Sequence, residues 1–210
     1  MSRKIIVIAA LAAALASPLA ANAADQGGWY VGLDAGQAHY AGLSGQVATP
    51  PGGSSHFSDN NFGYRVTGGY QFNEYWGLEV SWVDLGTAEM DITATTPTPG
   101  TLNEKVKTHG FLVAGTGTLP FNDQWSAFLR LGMIDGHVEV DAAGTGSLVA
   151  DSGSQSSTDW KTTYGVGLNW NFYSNWTARI GWDQYRNLGN QNKTGEGNVN
   201  LASIGVVYKF

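Results

Sequence analysis

The 210-residue chain has no cysteine, and charged residues make up only 13% of it. The lack of cysteine excludes a disulfide scaffold, a thiol nucleophile and a cysteine-ligated metal site. The charged fraction is about half of the roughly 25% found in soluble domains. Beyond the first 23 residues, no apolar run approaches the roughly 20 residues that a membrane-spanning helix needs. Few charges, 29 glycines and 12% aromatics instead suit a closed β-barrel in a membrane.

The N-terminus has the pattern of a secretory signal peptide. An apolar run follows Arg3 and Lys4 and ends at an Ala-x-Ala cleavage site in residues 21–23. We therefore expect removal of residues 1–23, with residues 24–210 forming one domain. Loss of Arg3 and Lys4 changes the net charge from −6 to −8, which argues against a nucleic-acid-binding face.

A repeat of about 50 residues organises the chain. Three short polar segments each lie between a Phe and a Trp, as Phe72–Trp76, Phe121–Trp125 and Phe172–Trp176. Trp29 lies just after the predicted signal peptide, and Phe210 is the last residue. These two aromatic residues supply the two halves of a fourth unit. A fixed period of this kind indicates a repeated supersecondary unit, here a pair of strands with its loop.

Apolar alternation runs outward from each of these aromatic residues. Stepping by two from each Trp or Phe meets no charge, whereas most intervening residues are small, polar or charged. A period of two indicates β-strands with one apolar face. Eight strands are predicted: Trp29–His39, Phe62–Phe72, Trp76–Leu85, His109–Phe121, Trp125–Gly136, Thr162–Phe172, Trp176–Arg186 and Asn200–Phe210.

Aromatic residues collect at the strand ends, which distinguishes a membrane barrel from a soluble sandwich. In a barrel the apolar face meets lipid and the aromatics form a girdle at the interface. The sequence therefore predicts an all-β, eight-stranded antiparallel up-and-down transmembrane barrel. Its predicted girdle comprises Trp29, Phe72, Trp76, Phe121, Trp125, Phe172, Trp176 and Phe210.

The connections are predicted to alternate between short turns and long polar loops. Short turns belong on the periplasmic side of such barrels and long loops outside. Four long extracellular loops are expected at Tyr40–Asn61, Gly86–Thr108, His137–Lys161 and Asn187–Val199.

Several strands resemble the membrane domain of the outer-membrane protein A (OmpA-like) family. Residues 61–86 (NFGYRVTGGYQFNEYWGLEVSWVDLG) are similar to its second and third strands, and FLRLG, ARIGW and IGVVYKF at 128–132, 178–182 and 204–210 are similar to later ones. The resemblance implies an eight-stranded barrel in a Gram-negative outer membrane, a polar interior and no enzymatic activity. It also implies contact of the terminal Phe210 with the barrel-assembly machinery.

Two features depart from that family. The peptidoglycan-binding periplasmic domain has no counterpart in the sequence, and Thr116 stands near the place of an inward lysine. Four inward charged residues resemble the family's interior set: Arg65, Glu79, Arg130 and Arg179. Asp34 and Asp183 lie on the same face of their strands.

Glu79 and Arg179 each lie three residues from a turn Trp, so they are expected at matched height in a lumen just wide enough for side chains. Paired charges could plug the lumen, because buried charges must be paired. Alternatively, exchange between pairs could gate a narrow pore.

Other chemistry is less well supported by the residues. His109, His137 and Asp135 lie close together on the outward face and could ligate a metal or serve as ordinary rim residues among lipopolysaccharide head groups. His39 and His56 lie near several serines, but no spacing singles out a catalytic triad. No cofactor is expected.

We therefore expect a structural or surface-interaction protein surrounded by lipid and lipopolysaccharide, with a plugged lumen. A narrow solute channel is the alternative, and a lipid A-modifying enzyme is the third.

Overall fold

The computed structural model describes residues 27–41, 53–58, 60–95, 99–147, 153–191 and 193–210, so the predicted signal peptide lies outside the described residues. Over these ranges no helix is long and apolar enough to cross a bilayer. The described residues form nine strands, β1 to β9 in chain order: Gly28–Ala41, Ser54–Ser58, Asn60–Gln71, Trp76–Ala94, Gly100–Pro120, Trp125–Gly146, Gly153–Tyr173, Trp176–Asn190 and Gly195–Lys209.

The strands close into an eight-stranded antiparallel barrel, as the alternation predicted. Strands β2 and β3 both pair with β4, so they act as two segments of one barrel strand. Each later strand pairs with its chain neighbour, and β1 pairs with β9 to close the ring. Because the ring is closed, each strand of the barrel wall pairs its backbone N–H and C=O groups with a neighbour on both sides. A lipid environment requires this pairing, since lipid offers no hydrogen-bond partners.

The Phe-x-x-x-Trp repeat forms tight turns at one end of the barrel. The amide of Phe72 donates to the carbonyl of Trp76 at 2.8 Å, and Phe121 does the same with Trp125 at 2.8 Å. In the first turn, Oδ1 of Asn73 accepts from the amide of Trp76 at 2.9 Å. An asparagine directly after the Phe is therefore useful, because its side chain satisfies backbone donors that the turn leaves open. We call this end the short-turn end.

The outward face is apolar through the middle of the wall. Leu33, Leu131, Ile180 and Ile204 are each more than half exposed, with Ile204 at 69%. In a membrane barrel such residues contact lipid, whereas the alternate residues point into the lumen and are mostly buried.

Two of the four predicted long loops are mostly strand, which corrects that prediction. Strands β4 to β7 contain 19 to 22 residues, whereas β1, β3, β8 and β9 contain 12 to 15. The described parts of Gly86–Thr108 and His137–Lys161 therefore continue the barrel strands beyond the membrane band. Apolar alternation identifies only the part of a strand that faces lipid, and these extensions carry polar residues on their outer face.

The other two predicted loops are also shorter than expected. Within Tyr40–Asn61, Ser54–Ser58 pairs with β4, and residues 42–52 lie outside the described residues. Within Asn187–Val199, β8 and β9 continue to Asn190 and from Gly195.

Two bulges bend the strands where the extensions begin. The register shifts between Asp84 and Thr87 in β4, where Gly86 has a φ of 77°, and between Tyr185 and Leu188 in β8. A bulge re-aims the neighbouring side chains. Leu85, beside the first bulge, is fully buried in the lumen, and Leu188 is 5% exposed.

Candidate functional site

Six ionised side chains meet inside the barrel, three carboxylates and three guanidiniums. They comprise the four lumen charges singled out from the sequence and the two aspartates on the same face: Arg65, Glu79, Arg130, Arg179, Asp34 and Asp183. We call them the lumen ion network. Their formal charges cancel, and all six side chains are 9% exposed or less.

Asp183 links two of the arginines. Its Oδ2 accepts from Nη1 of Arg65 at 2.7 Å, and its Oδ1 accepts from Nη1 of Arg130 at 2.5 Å. Arg65 also donates through Nη2 to Asp34 Oδ2 at 2.9 Å. The sequence showed only that Asp34 and Asp183 face inward; the barrel brings them onto arginines of other strands.

Glu79 joins the other half of the network and is fully buried. Its Oε2 accepts from Nε of Arg130 at 2.6 Å, and its Oε1 accepts from Nη1 of Arg179 at 3.0 Å. Tyr30 donates its hydroxyl to the same Oε1 at 3.0 Å. Loss of this one carboxylate would leave two buried arginines short of a partner, which is costly in a low-dielectric interior.

Phe128 is a buried aromatic residue on the inward face of β6. The guanidinium carbons of Arg130 and Arg179 lie 5.1 and 4.8 Å from its ring centroid. Guanidiniums within about 6 Å of a ring face gain cation–π attraction. Phe128 thus holds the two arginines that share Glu79, a role that alternation alone did not reveal.

Glycines on neighbouring strands make room for the network. A Cβ added at Gly165 would lie 2.0 Å from Asp183 Oδ1, and one at Gly205 would lie 2.2 Å from Asp34 Oδ1. Real Cβ atoms do not approach other atoms so closely. Small residues on the inward face are therefore a signal for bulky or charged groups on the adjacent strand.

An apolar layer fills the lumen beyond the network, toward the extended strands. Its residues are at most 5% exposed and include Val83, Leu85, Leu112, Ile134, Tyr185 and Leu201. We call this layer the apolar cap. The resemblance implied a polar interior, and the cap corrects that expectation for this half of the lumen. Burial of each leucine or isoleucine side chain stabilises the fold by about 1.5–3 kcal/mol.

On the other side of the network, toward the short-turn end, the lumen widens into a cavity of about 610 Å³. We call it the vestibule. Thr116, near the place of the family's inward lysine, is one of its wall residues. The polar wall also includes Thr118, Ser126, Asn169, Asn171, Thr177, Arg179 and Lys209.

The structure places all eight predicted girdle residues on the outer surface. Their exposures run from 42% for Trp125 and Trp176 to 64% for Trp76. Neighbouring rings pack together, as Trp29 does with Tyr70 at 5.1 Å between centroids and Trp176 with Tyr208 at 4.9 Å.

The three weak metal candidates do not form a three-ligand site. His109 and His137 are register partners with ring centroids 5.1 Å apart, and His137 Nδ1 lies 2.7 Å from Thr158 Oγ1. Asp135 lies two residues before His137 on the same face of β6, nearer the middle of the wall, and its register partner is Trp160. Within the ranges that the structure describes, no three His, Asp or Glu side chains are grouped to hold a metal ion.

Comparison with known proteins supplies the family. Residues 7–210 match the family described as outer membrane protein beta-barrel domain. The chain belongs to this family. Outer membrane protein A of Serratia marcescens is 27% identical over 209 residues, which is 96% of this chain and 55% of that protein. Its counterpart in Yersinia pseudotuberculosis is 25% identical over 184 residues, 87% of this chain and 48% of that protein.

The chain thus spans about half the length of the curated relatives it matches. These relatives place the protein in the outer membrane of a Gram-negative bacterium, where lipid and lipopolysaccharide surround the wall. Short turns face the periplasm in such barrels, so we propose that the vestibule opens to the periplasm and that the strand extensions face the medium.

Solved structures share the fold. Neisserial surface protein A has a TM-score of 0.53 at 15% identity, covering 87% of this chain and 97% of that one. The attachment invasion locus protein Ail of Yersinia pestis, solved with the heparin analogue sucrose octasulfate, has a TM-score of 0.50 at 16% identity, covering 89% and 99%. At such identities the likeness concerns the fold alone.

Proposed function

We propose that this outer-membrane protein is a closed wall element that presents a stiff surface platform to the medium. The observation that carries the proposal is the pair of stacked layers inside the barrel. Each carboxylate of the lumen ion network forms a salt bridge with at least one of its arginines, and the apolar cap lies directly beyond it. An ion entering from the short-turn end would meet paired charges first and then a layer made mostly of apolar side chains.

The platform consists of the extensions of β4 to β7 rather than of irregular loops. On its outer face Lys105 lies 2.8 Å from Glu89, and Lys107 lies 3.6 Å from Asp141 and 4.0 Å from Glu139. Each pair joins neighbouring strands and favours their alignment, although water screens exposed pairs and each contributes little to stability. Surface interaction through this platform is the role that the extended strands support best.

Planar-bilayer recording with refolded protein tests the closed lumen. We expect no discrete current steps at either polarity. The alternative is a narrow channel, favoured by the vestibule, which already opens half of the lumen to water. Regular steps that vanish with heat-denatured protein would establish the channel and reject the closed wall element.

An enzymatic role in lipid A modification has less support. At the outer rim, the rings of His109 and His137 contact each other, and His137 forms a hydrogen bond with Thr158. Neither contact is the pairing of a histidine with a carboxylate and a nucleophile that a catalytic triad needs. We propose that the protein is not an enzyme, and we expect mass spectra of lipid A from a deletion strain to match those of its parent. A new or missing acyl or phosphate group would reverse this conclusion.

A further inference from the structure

We propose that the vestibule is a binding site for a small acidic sugar that enters from the periplasm. The proposal goes beyond the closed wall element and assigns a ligand class to the periplasmic half of the lumen. The cavity of about 610 Å³ falls within the range of roughly 300–1,000 Å³ that small-molecule sites occupy. Its inner end is closed, because Arg179 lines it and Glu79 behind that arginine is fully buried.

Two cations on neighbouring strands face the vestibule. Arg179 donates through Nε to Asn169 and through Nη1 to Glu79, so its charge is balanced by that carboxylate. Lys209 lines the same cavity, and no carboxylate within the described ranges forms a salt bridge with it. Two acidic residues also border the cavity, Glu74 and Asp123, but both are exposed turn residues at its mouth. Lys209 is exposed near the same end of the barrel and is the cation of the wall that no carboxylate of the network balances, so it favours an anionic group beside it.

The remaining wall is rich in groups that recognise hydroxyls. Thr177 donates to Asn171 Oδ1 at 2.7 Å, and Asn169 Nδ2 donates to Ser126 Oγ at 3.3 Å. Each of these hydroxyls and amides keeps further donor or acceptor capacity after its internal bond. We call these four side chains, Thr177, Asn171, Asn169 and Ser126, the hydroxyl ladder. Because the hydroxyl ladder lies beside Arg179 and Lys209, it fits a ligand with one acidic group and several hydroxyls better than a bare inorganic anion.

The apolar part of the wall also suits a sugar ring. Val207 and Phe128, both buried, line the cavity. Aliphatic ring hydrogens of a sugar can pack on such side chains while its hydroxyls reach the hydroxyl ladder. The dimensions, charge and polarity of the vestibule therefore agree on one ligand class.

Calorimetric titration of the full mature protein in lipid nanodiscs tests this proposal, with glucuronate, glucose and inorganic phosphate as probes. We expect glucuronate to bind at least ten times more tightly than either glucose or phosphate. Equal affinity for glucose would reject the role of the cations, and equal affinity for phosphate would reject the sugar. Absence of glucuronate binding would reject the site.

Three variants locate the binding. Lys209→Gln should weaken glucuronate binding at least tenfold, whereas Lys105→Gln, a lysine on the extracellular platform, should leave it unchanged. Thr177→Val should weaken glucuronate more than phosphate, because only the sugar uses the hydroxyl ladder. Heat-modifiable migration confirms that each variant is folded. Unchanged glucuronate affinity in folded Lys209→Gln and Thr177→Val would place the ligand elsewhere and overturn the proposal, while the conductance result would stand independently.

Discussion

Glu79 and Arg179 are separated by 100 positions in the chain and form a 3.0 Å salt bridge inside the lumen. Their strands, β4 and β8, are not neighbours in the wall, so the bridge crosses the barrel interior. The same carboxylate also binds Arg130, and through it the bridge connects to Asp183. The network therefore braces separate parts of the wall against one another.

Removal of the Glu79 charge should destabilise the barrel. In Glu79→Gln the two bound arginines lose their common carboxylate, and breaking a buried pair costs about 3–5 kcal/mol, less where vestibule water reaches the charges. Urea unfolding in lipid vesicles should shift to lower urea, with partial recovery in Glu79→Gln/Arg179→Gln. Glu89→Gln, which breaks the exposed pair with Lys105, is the matched control and should leave the urea midpoint nearly unchanged, because water screens an exposed pair. Equal midpoints for Glu79→Gln and the control would remove Glu79 from the brace.

The glycine that admits Asp183 should not tolerate a methyl group. Gly165→Ala would place Cβ against Asp183 Oδ1, whereas a Cβ at Gly153 on the same strand has open space around it. We expect Gly165→Ala to lower stability by about 1–3 kcal/mol, the usual cost of overpacking, and Gly153→Ala to have little effect. The same urea titration checks both variants. If the two midpoints agree, the network does not depend on this close approach.

The outward register can be tested in the middle of the wall. Ile180 is 56% exposed on the lipid-facing side, and an arginine near the bilayer midplane costs roughly 2–4 kcal/mol. Ile180→Arg should therefore unfold at lower urea than Lys193→Glu, a change in the extracellular hairpin. An arginine at 180 that is as well tolerated as the hairpin change would mean that this residue does not face lipid.

The terminal aromatic should matter for assembly. Phe210 is 46% exposed, its amide donates to the carbonyl of Trp29 at 3.0 Å, and its ring packs on Tyr208 at 5.2 Å. Deletion of Phe210 should lower the amount of heat-modifiable protein in the outer membrane, because a terminal aromatic resembles the signal for the barrel-assembly machinery. Equal folded amounts in the deletion and in Phe172→Ala, a girdle change away from the terminus, would count against a special terminal role.

Acidification should weaken one extracellular contact. The hydrogen bond from Lys161 Nζ, 2.6 Å from Glu196 Oε1, and a second from Gln191 lower the pKa of Glu196 below its ordinary value. A lowered folded-state pKa gives stability that is present above the unfolded pKa and is lost as pH falls through the folded pKa. The stability difference between wild type and Lys161→Gln should therefore be larger at pH 7 than at pH 3. A difference that stays constant with pH would show that the ion pair does not contribute.

Alternation predicted the barrel, the lipid face and the inward placement of Arg65, Glu79, Arg130 and Arg179, because a period of two determines which face each residue occupies. The matched height of Glu79 and Arg179 on opposite walls suggested that pair, which forms in the structure. Alternation could not predict the partners of Asp34 and Asp183, because it gives the face of each residue and not its distance to residues of other strands. The strand extensions were missed because their outer face is polar.

The apolar cap could have been found from the same pattern. Leu112 and Ile134 stand at inward positions of β5 and β6, near the extracellular ends of the lipid-facing segments. An apolar residue at an inward position has no lipid contact to explain it, so it indicates packing inside the lumen. Phe128 and Tyr30 are aromatic residues at inward positions, where most residues are small, polar or charged. In the same way, they indicated packing inside the lumen, and both contact the ion network.

Thiol labelling from one side of the membrane tests the closed lumen most directly. The chain has no cysteine, so a single thiol in Thr177→Cys reports on the vestibule alone, and Lys193→Cys reports on the extracellular side. In sealed vesicles of known orientation, a small membrane-impermeant thiol reagent should modify Thr177→Cys only from the periplasmic face and Lys193→Cys only from the extracellular face. Modification of Thr177→Cys at equal rates from both faces would show an open passage through the ion network and the apolar cap, and would contradict the closed wall element.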